Sequence, residues 1–345
     1  MKHRYIIGIV CFVVIAALLV AGANFVLMPK WSNEFRSGSN IRGWYDMPED
    51  SVDFLILGPS HVVCGVNPNL LYEDYGISAY CCGTEAQPMM SSYYWLRESI
   101  RIQPIKAVVL DMIDLFVEPN DVNYRKSFDY MKLSEVKREA LRSYKAENPD
   151  MSMLSYLLPL IQYHDRWKEL TMEDFTGDQS ECWRGFLLQT KQRNMDFAGY
   201  EPEDADGIAE PLASNLFWFR QIAELCQSEG IQLIVMFTPD LEYTAERHAA
   251  VQALADEYGI PFLDFNIVSQ YPDIDYAAGM SDFRHVNSFG SAQLTPYVAE
   301  TLLSLCELPD RRGDPALDAI DARWQAAWAA ALEEMENPVP AVGGN

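Results

Sequence analysis

Five histidines limit the acid–base chemistry open to this 345-residue chain. In "DFLILGPSHVVCGVNP", residues 53–68, an apolar run stops at Gly58 and Pro59, and Ser60 follows with His61 beside it. A serine hydroxyl is a weak nucleophile until a neighbouring base takes its proton. His3 precedes the apolar N-terminal run, and His248, mid-helix in "AERHAAVQ", reads as a satisfied or solvated helix residue. Consecutive side chains diverge, so His61 is badly placed to serve Ser60 directly. His164, in "QYHDRW", reaches such a site only as a lid residue. His285 remains. In "GMSDFRHVNSFG" Asp282 stands three residues before it. At that spacing on a turn, a carboxylate accepts from the ring Nδ1–H and leaves Nε2 as the base. The pattern predicts acyl transfer through a covalent serine, with the partners in the order Ser60, Asp282, His285.

Positioning these groups is the task of the elements around them. Short apolar runs recur at residues 53–57, 77–81, 106–112, 231–238 and 261–265, most of them continuous rather than alternating. Strands buried on both faces of a parallel sheet read this way. Helix-like stretches at 91–102, 215–230 and 243–259 lie between them, the last two stopping at Gly230 and Gly259. The alternation predicts a doubly wound α/β domain over 51–308. Such sheets bind ligands beyond the carboxyl ends of their strands, where Ser60 falls. Residues 115–210 break the alternation and predict a mostly helical insertion acting as a cap or lid. Residues 309–345 supply one more helix, at 316–336, with Trp324 and Trp328 packing on the domain.

From Tyr5 to Met28 no residue is charged. As a helix the run reaches ~36 Å at ~1.5 Å per residue, beyond the ~30 Å bilayer core. Residues 5–28 therefore read as a membrane anchor and 29–50 as a polar juxtamembrane linker. Lys2 and Arg4 place residues 1–4 in the cytoplasm and the rest outside. The competing reading is a signal peptide cut after "AGA", residues 21–23. With 26 Lys and Arg against 50 Asp and Glu, the net charge of -24 excludes a nucleic-acid partner. Cys64, Cys81, Cys82, Cys182, Cys226 and Cys306 fit no metal spacing and read as buried small hydrophobes, with disulfide pairing left open. Neither a metal nor a cofactor is expected.

"LGPSH" after the first strand and "DFRH" before the last helix resemble the first and last blocks of the SGNH, or GDSL-like, hydrolase superfamily. The resemblance implies a three-layer α/β/α, flavodoxin-like fold with Ser60 as nucleophile, His285 as base and Asp282 as its orienter. The anchor, the Ser60–His61 pair, and Asn287 and Gly290 in "HVNSFG" resemble the membrane-attached branch that handles O-acyl groups on envelope polysaccharides and teichoic acids. That branch implies a glycan or teichoic-acid-like acceptor and a multispanning membrane protein as acyl donor. Its oxyanion hole would combine the N–H of Ser60, the N–H of Gly83 and an Asn side chain after the third strand. Here that place reads "LDMIDLFVE", with Asp111 or Asp114 instead. An ionised carboxylate would repel an oxyanion, so the one that stands there must be protonated, turned away or bonded elsewhere. Substitute donors are sought in the insertion, at His164, Arg166, Trp167 or the Gly185 backbone. His61, Asp111, Asp114, His164, Arg166 and Asn287 are candidate substrate contacts. A non-catalytic carbohydrate-binding or assembly factor on the same fold is the alternative, favoured by the missing Asn.

Overall fold

The computed structural model describes residues 2–29, 38–176 and 182–336. Five strands form at the five apolar runs: β1 (Phe54–Leu57), β2 (Ala79–Cys81), β3 (Ala107–Asp111), β4 (Gln232–Phe237) and β5 (Phe262–Asp264). All pair in parallel in the order β2-β1-β3-β4-β5. Strand order reverses between β1 and β3, so the crevice for a ligand lies beyond the ends of those two strands.

Thirteen α-helices are described. They are α1 (Lys2–Leu27), α2 (Ser60–Gly65), α3 (Pro68–Tyr75), α4 (Met89–Ile102), α5 (Asp121–Phe128), α6 (Glu135–Glu147) and α7 (Met153–Leu157). Then follow α8 (Pro159–Tyr163), α9 (Met172–Thr176), α10 (Ala213–Glu229), α11 (Ala245–Tyr258), α12 (Ser288–Leu305) and α13 (Pro315–Glu336). Leu55, Leu57, Val108, Leu110, Val235 and Phe237 share one apolar cluster with residues of α4, α10 and α11. Phe54, Ile56, Val109, Ile234 and Met236 share the other with α2, α3 and α12. Alternate strand residues thus bury on opposite faces, which is why the strands read as unbroken apolar runs. Gly230 and Gly259 close α10 and α11 in the left-handed conformation that side chains disfavour.

Two expectations change. Within the expected linker at 29–50, Gly38–Asp46 forms a 3-10 helix that buries Ile41 and Trp44, with Trp44 edge-on to Tyr80 at 5.3 Å. An indole and a branched aliphatic side chain gain more by entering the core than a spacer would by staying in water. Residues 30–37 of that linker and the tail after Glu336 lie outside the described residues. The insertion is α-helical through α5 to α9 but has no α-helix over 182–210, and it packs on α4 and α1. Among the described residues no cysteine is in a disulfide.

The C-terminal segment is bound as expected. Trp324 is fully buried, stacked on Trp328 and edge-on to Trp183 and Phe186. Upstream, the Arg311 guanidinium forks onto the buried Asp53 carboxylate at 2.6 and 2.8 Å, fixing this segment to the start of β1. Among the described residues only Lys106, at 4.0 Å, remains as a cation if Arg311 is cut back. Arg311→Ala is expected to cost about 3 kcal/mol, since the charge left behind is buried. It would appear as a lower urea midpoint at unchanged slope, and an unshifted midpoint would refute it.

Candidate active site

Ser60 stands on the first turn of α2, one residue after Pro59, where the chain leaves β1. Gly58 makes the turn at φ 141°, and a Cβ there would sit 2.9 Å from the Cβ of Asp111. Glycine is required on both counts. The turn presents the Ser60 hydroxyl at the rim, only 7% exposed.

His285 arrives from 225 residues away and sets Nε2 2.8 Å from Ser60 Oγ. Its Nδ1 lies 3.0 and 3.1 Å from the two oxygens of Asp282. The same Asp282 Oδ1 accepts from the backbone N–H groups of Arg284 and His285, at 2.8 and 3.0 Å. Burial alone would raise the Asp282 pKa, but these N–H donors and the imidazole hold it below the ordinary carboxylate range. An ionised Asp282 fixes the proton on Nδ1 and leaves the Nε2 lone pair facing the hydroxyl. The three predicted residues converge. The arrangement suits proton abstraction from Ser60 and its return to a leaving group.

A second pair braces this loop. His61 Nε2 lies 3.1 Å from Asp240 Oδ2, which also accepts from Arg284 Nε at 3.2 Å. Burial pushes the His61 pKa down to about 4, against the pull of Asp240, so the ring is neutral near pH 7. The rings of His61 and His285 are 4.8 Å apart. A neutral neighbour permits His285 to become an imidazolium without repulsion. Asp240 and Arg284 had no place in the sequence reading. The signal for Arg284 was its position between Asp282 and His285, whereas nothing local marks Asp240, at the end of β4.

A cavity of about 210 Å³ opens over Ser60, lined by His61, Glu85, Ala86, Ile113, Asp114, Arg284 and His285, among others. Asp111 and Asp114 resolve differently. Asp111 accepts from the N–H of Ile113 at 2.9 Å and from Thr238 N and Oγ at 3.3 Å each, so it is bonded elsewhere. Burial nevertheless lifts its pKa to about 7. Asp114 belongs to the cavity wall and is 5% exposed, and its Oδ2 is buried without a partner. Burial, reinforced by nearby Asp111 and opposed by Arg284, raises its pKa well above the carboxylate range. Burial thus favours the protonated, neutral form of the Asp114 carboxyl.

Other candidates fall elsewhere. The Gly83 N–H meets the Cys81 thiol, and its carbonyl accepts from Asn40 at 2.7 Å. A Cβ at Gly83 would press on Gly58 O and Val62, so this glycine serves close packing behind the Ser60 turn. The wall facing the cavity is two residues on, at Glu85 and Ala86, and Ala86 is held at φ 45°. Asn287 caps α12, accepting from Phe289 N and Gly290 N while donating to Ala278 O and Met280 O. It is spent on structure. His164 is exposed against Ile161 O, and Arg166 is buried against Leu27 O and Asp174, both at the end of α1 rather than over Ser60. Trp167 is exposed on that same turn, and the Gly185 carbonyl accepts from Asn40 at 3.3 Å. The expected lid is therefore absent from the described residues, since of the insertion only Val117 lines the cavity. His248, as expected, is satisfied in its helix, with Nδ1 2.7 Å from Asp264.

Among the described residues no cluster of three or more His, Cys, Asp or Glu is arranged to hold a metal ion. Comparison with known proteins finds no family model and no curated protein that matches the chain.

Proposed function

We propose that this chain is a membrane-anchored, extracytoplasmic serine acyltransferase or esterase of SGNH type, with the three-layer α/β/α arrangement of that superfamily. Its substrate class is an O-acylated envelope polysaccharide or teichoic-acid-like polymer. One observation carries the reading: Ser60, His285 and Asp282, far apart in sequence, meet in hydrogen-bonding order at the edge of one cavity.

The chemistry follows from that order. Ser60 Oγ attacks the acyl carbonyl as His285 Nε2 takes its proton, and the carbonyl electron pair moves onto oxygen. His285 then protonates the departing oxygen, leaving the acyl group esterified to Ser60. A sugar hydroxyl, or water, repeats the sequence in reverse and restores the serine. The developing oxyanion needs donors. The Ser60 N–H at the start of α2, the backbone at Ala86 and the neutral acid of Asp114 are assigned to that task.

The helix α1 supports the anchor, since Arg4–Leu27 is long and apolar enough to cross a bilayer and its most apolar stretch is not buried in the protein. Lys2 and Arg4 orient it with the catalytic domain outside. A multispanning acyl-donor protein in the same membrane would supply the group transferred.

The test is covalent labelling of the full-length protein in detergent with a fluorophosphonate, which traps activated serines. Wild type is expected to take one label at Ser60 and Ser60→Ala none. Equal labelling of the two, or none of either, would leave the binding-factor alternative. That alternative draws on the carboxyl group standing where the family carries an amide.

A further inference from the structure

We infer that the outer face of residues 153–176 is a lipid-seating surface, resting on the headgroup boundary of a zwitterionic bilayer around the exit of α1. The inference takes α1 as a retained span and is independent of the chemistry at Ser60.

The end of α1 is built into this segment. A helix leaves its last carbonyls without partners, and here Arg166 Nη1 donates to Leu27 O at 2.7 Å. A guanidinium at a helix C-terminus also complements its dipole. Arg166 is in turn paired with buried Asp174 at 2.9 Å, so the clamp is close to neutral. Asn24 Oδ1 accepts from the N–H of Leu160 at 2.7 Å, at the start of α8. The Tyr130 hydroxyl donates to Pro29 O at 2.9 Å just beyond the helix. Both α8 and α9 pack directly on α1.

Around this clamp large apolar side chains stand in water, with charged ones such as Asp165 and Lys168 between them. Leu154, Leu157, Ile161, Trp167, Met172 and Phe175 are all exposed, Met172 by 75% and Trp167 by 64%. They lie on α7, α8, the 3-10 turn His164–Lys168 and α9, short elements that adjoin one another and α1. Six exposed large apolar side chains gathered on adjoining elements, with charges between them, mark an amphipathic surface that something covers. If α1 spans a bilayer, the elements bound to its end stand at the level where the acyl chains give way to headgroups. Tryptophan favours that depth, and amphipathic segments lie along it with their apolar sides inward. The choice of lipid follows from charge: at -24 the chain is not drawn to anionic headgroups. The attraction is apolar burial, for which a zwitterionic lipid suffices.

The test uses the full chain in phosphatidylcholine nanodiscs whose acyl chains carry bromine near the carbonyl end, which quenches tryptophan on contact. The chain has eight tryptophans, so the reading is a difference. Trp167→Phe is expected to reduce the bromine-quenched part of the emission by one tryptophan's share. Phe175→Trp in the Trp167→Phe background should restore it. Both substitutions are conservative and at exposed positions, so the fold is retained. A quenched amplitude unchanged by Trp167→Phe, with none regained from Phe175→Trp, would overturn the inference and mean this face is covered by something other than lipid. Incorporation into the discs separately reports whether α1 holds the protein in the bilayer.

Discussion

Ser60→Ala, His285→Ala and the two combined are expected to show one common residual rate of aryl-acetate turnover, on the order of 100,000-fold below wild type. The single losses should not multiply. Ser60 Oγ and His285 Nε2 sit 2.8 Å apart and perform one proton transfer between them, so removing either abolishes the same event. What persists is owed to the cavity and its oxyanion donors, which neither change touches. Asp282→Asn is expected to cost less, about 10,000-fold, by a different route. The amide oxygen can still accept from the N–H groups of Arg284 and His285, so the turn survives. The amide NH₂ then faces Nδ1, drives the ring proton to Nε2, and leaves the serine without a base. A double variant slower than either single one by the product of both factors would show that the two groups act independently.

The sheet was legible because both its faces are buried, so five unbroken apolar runs each declared a strand. The triad was legible for a different reason: five histidines are few, and only His285 lay in a rim loop with a carboxylate three residues before it. What failed was everything set by how surfaces meet. Gly83 looked like an oxyanion donor from its place after β2, but the close approach of Gly58 and Val62 claims it for packing. Asn287 looked available until its position at the first turn of α12 was known, where four hydrogen bonds consume it. His164 and Arg166 carry the residue types of a lid, and their chemistry is real, but Arg166 spends its charge on the end of α1 and on Asp174. Asp240 reaches His61 across 179 residues, a separation that no local pattern encodes.

Asp114→Leu is expected to slow acyl transfer by about 100- to 1,000-fold, the usual loss when one oxyanion donor is removed, whereas Asp114→Asn should remain within about tenfold of wild type. The contrast rests on what the side chain can donate. A neutral carboxylic acid offers one O–H and a primary amide two N–H groups, while leucine offers none. Sequence placement alone made Asp114 a liability, because a carboxylate there would oppose the charge it faces. Burial with an unpartnered oxygen removes that objection. The groups around it are Asp111, Tyr243, Glu85, His61, His285 and Arg284. Among them Asp111 favours the protonated form and Arg284 opposes it, with burial outweighing both. The sign of the pH dependence follows. A carboxyl whose folded pKa is raised stabilises the fold fully below its unfolded pKa, near 4, and loses that contribution as pH rises through the folded value. Activity falls as pH rises through that folded value, because the proton lost is the one donated to the oxyanion. Asp114→Asn has no such proton, so its rate profile should stay flat where the wild type declines. If Asp114→Asn proved as slow as Asp114→Leu at every pH, Asp114 would be a wall of the cavity and not a donor within it.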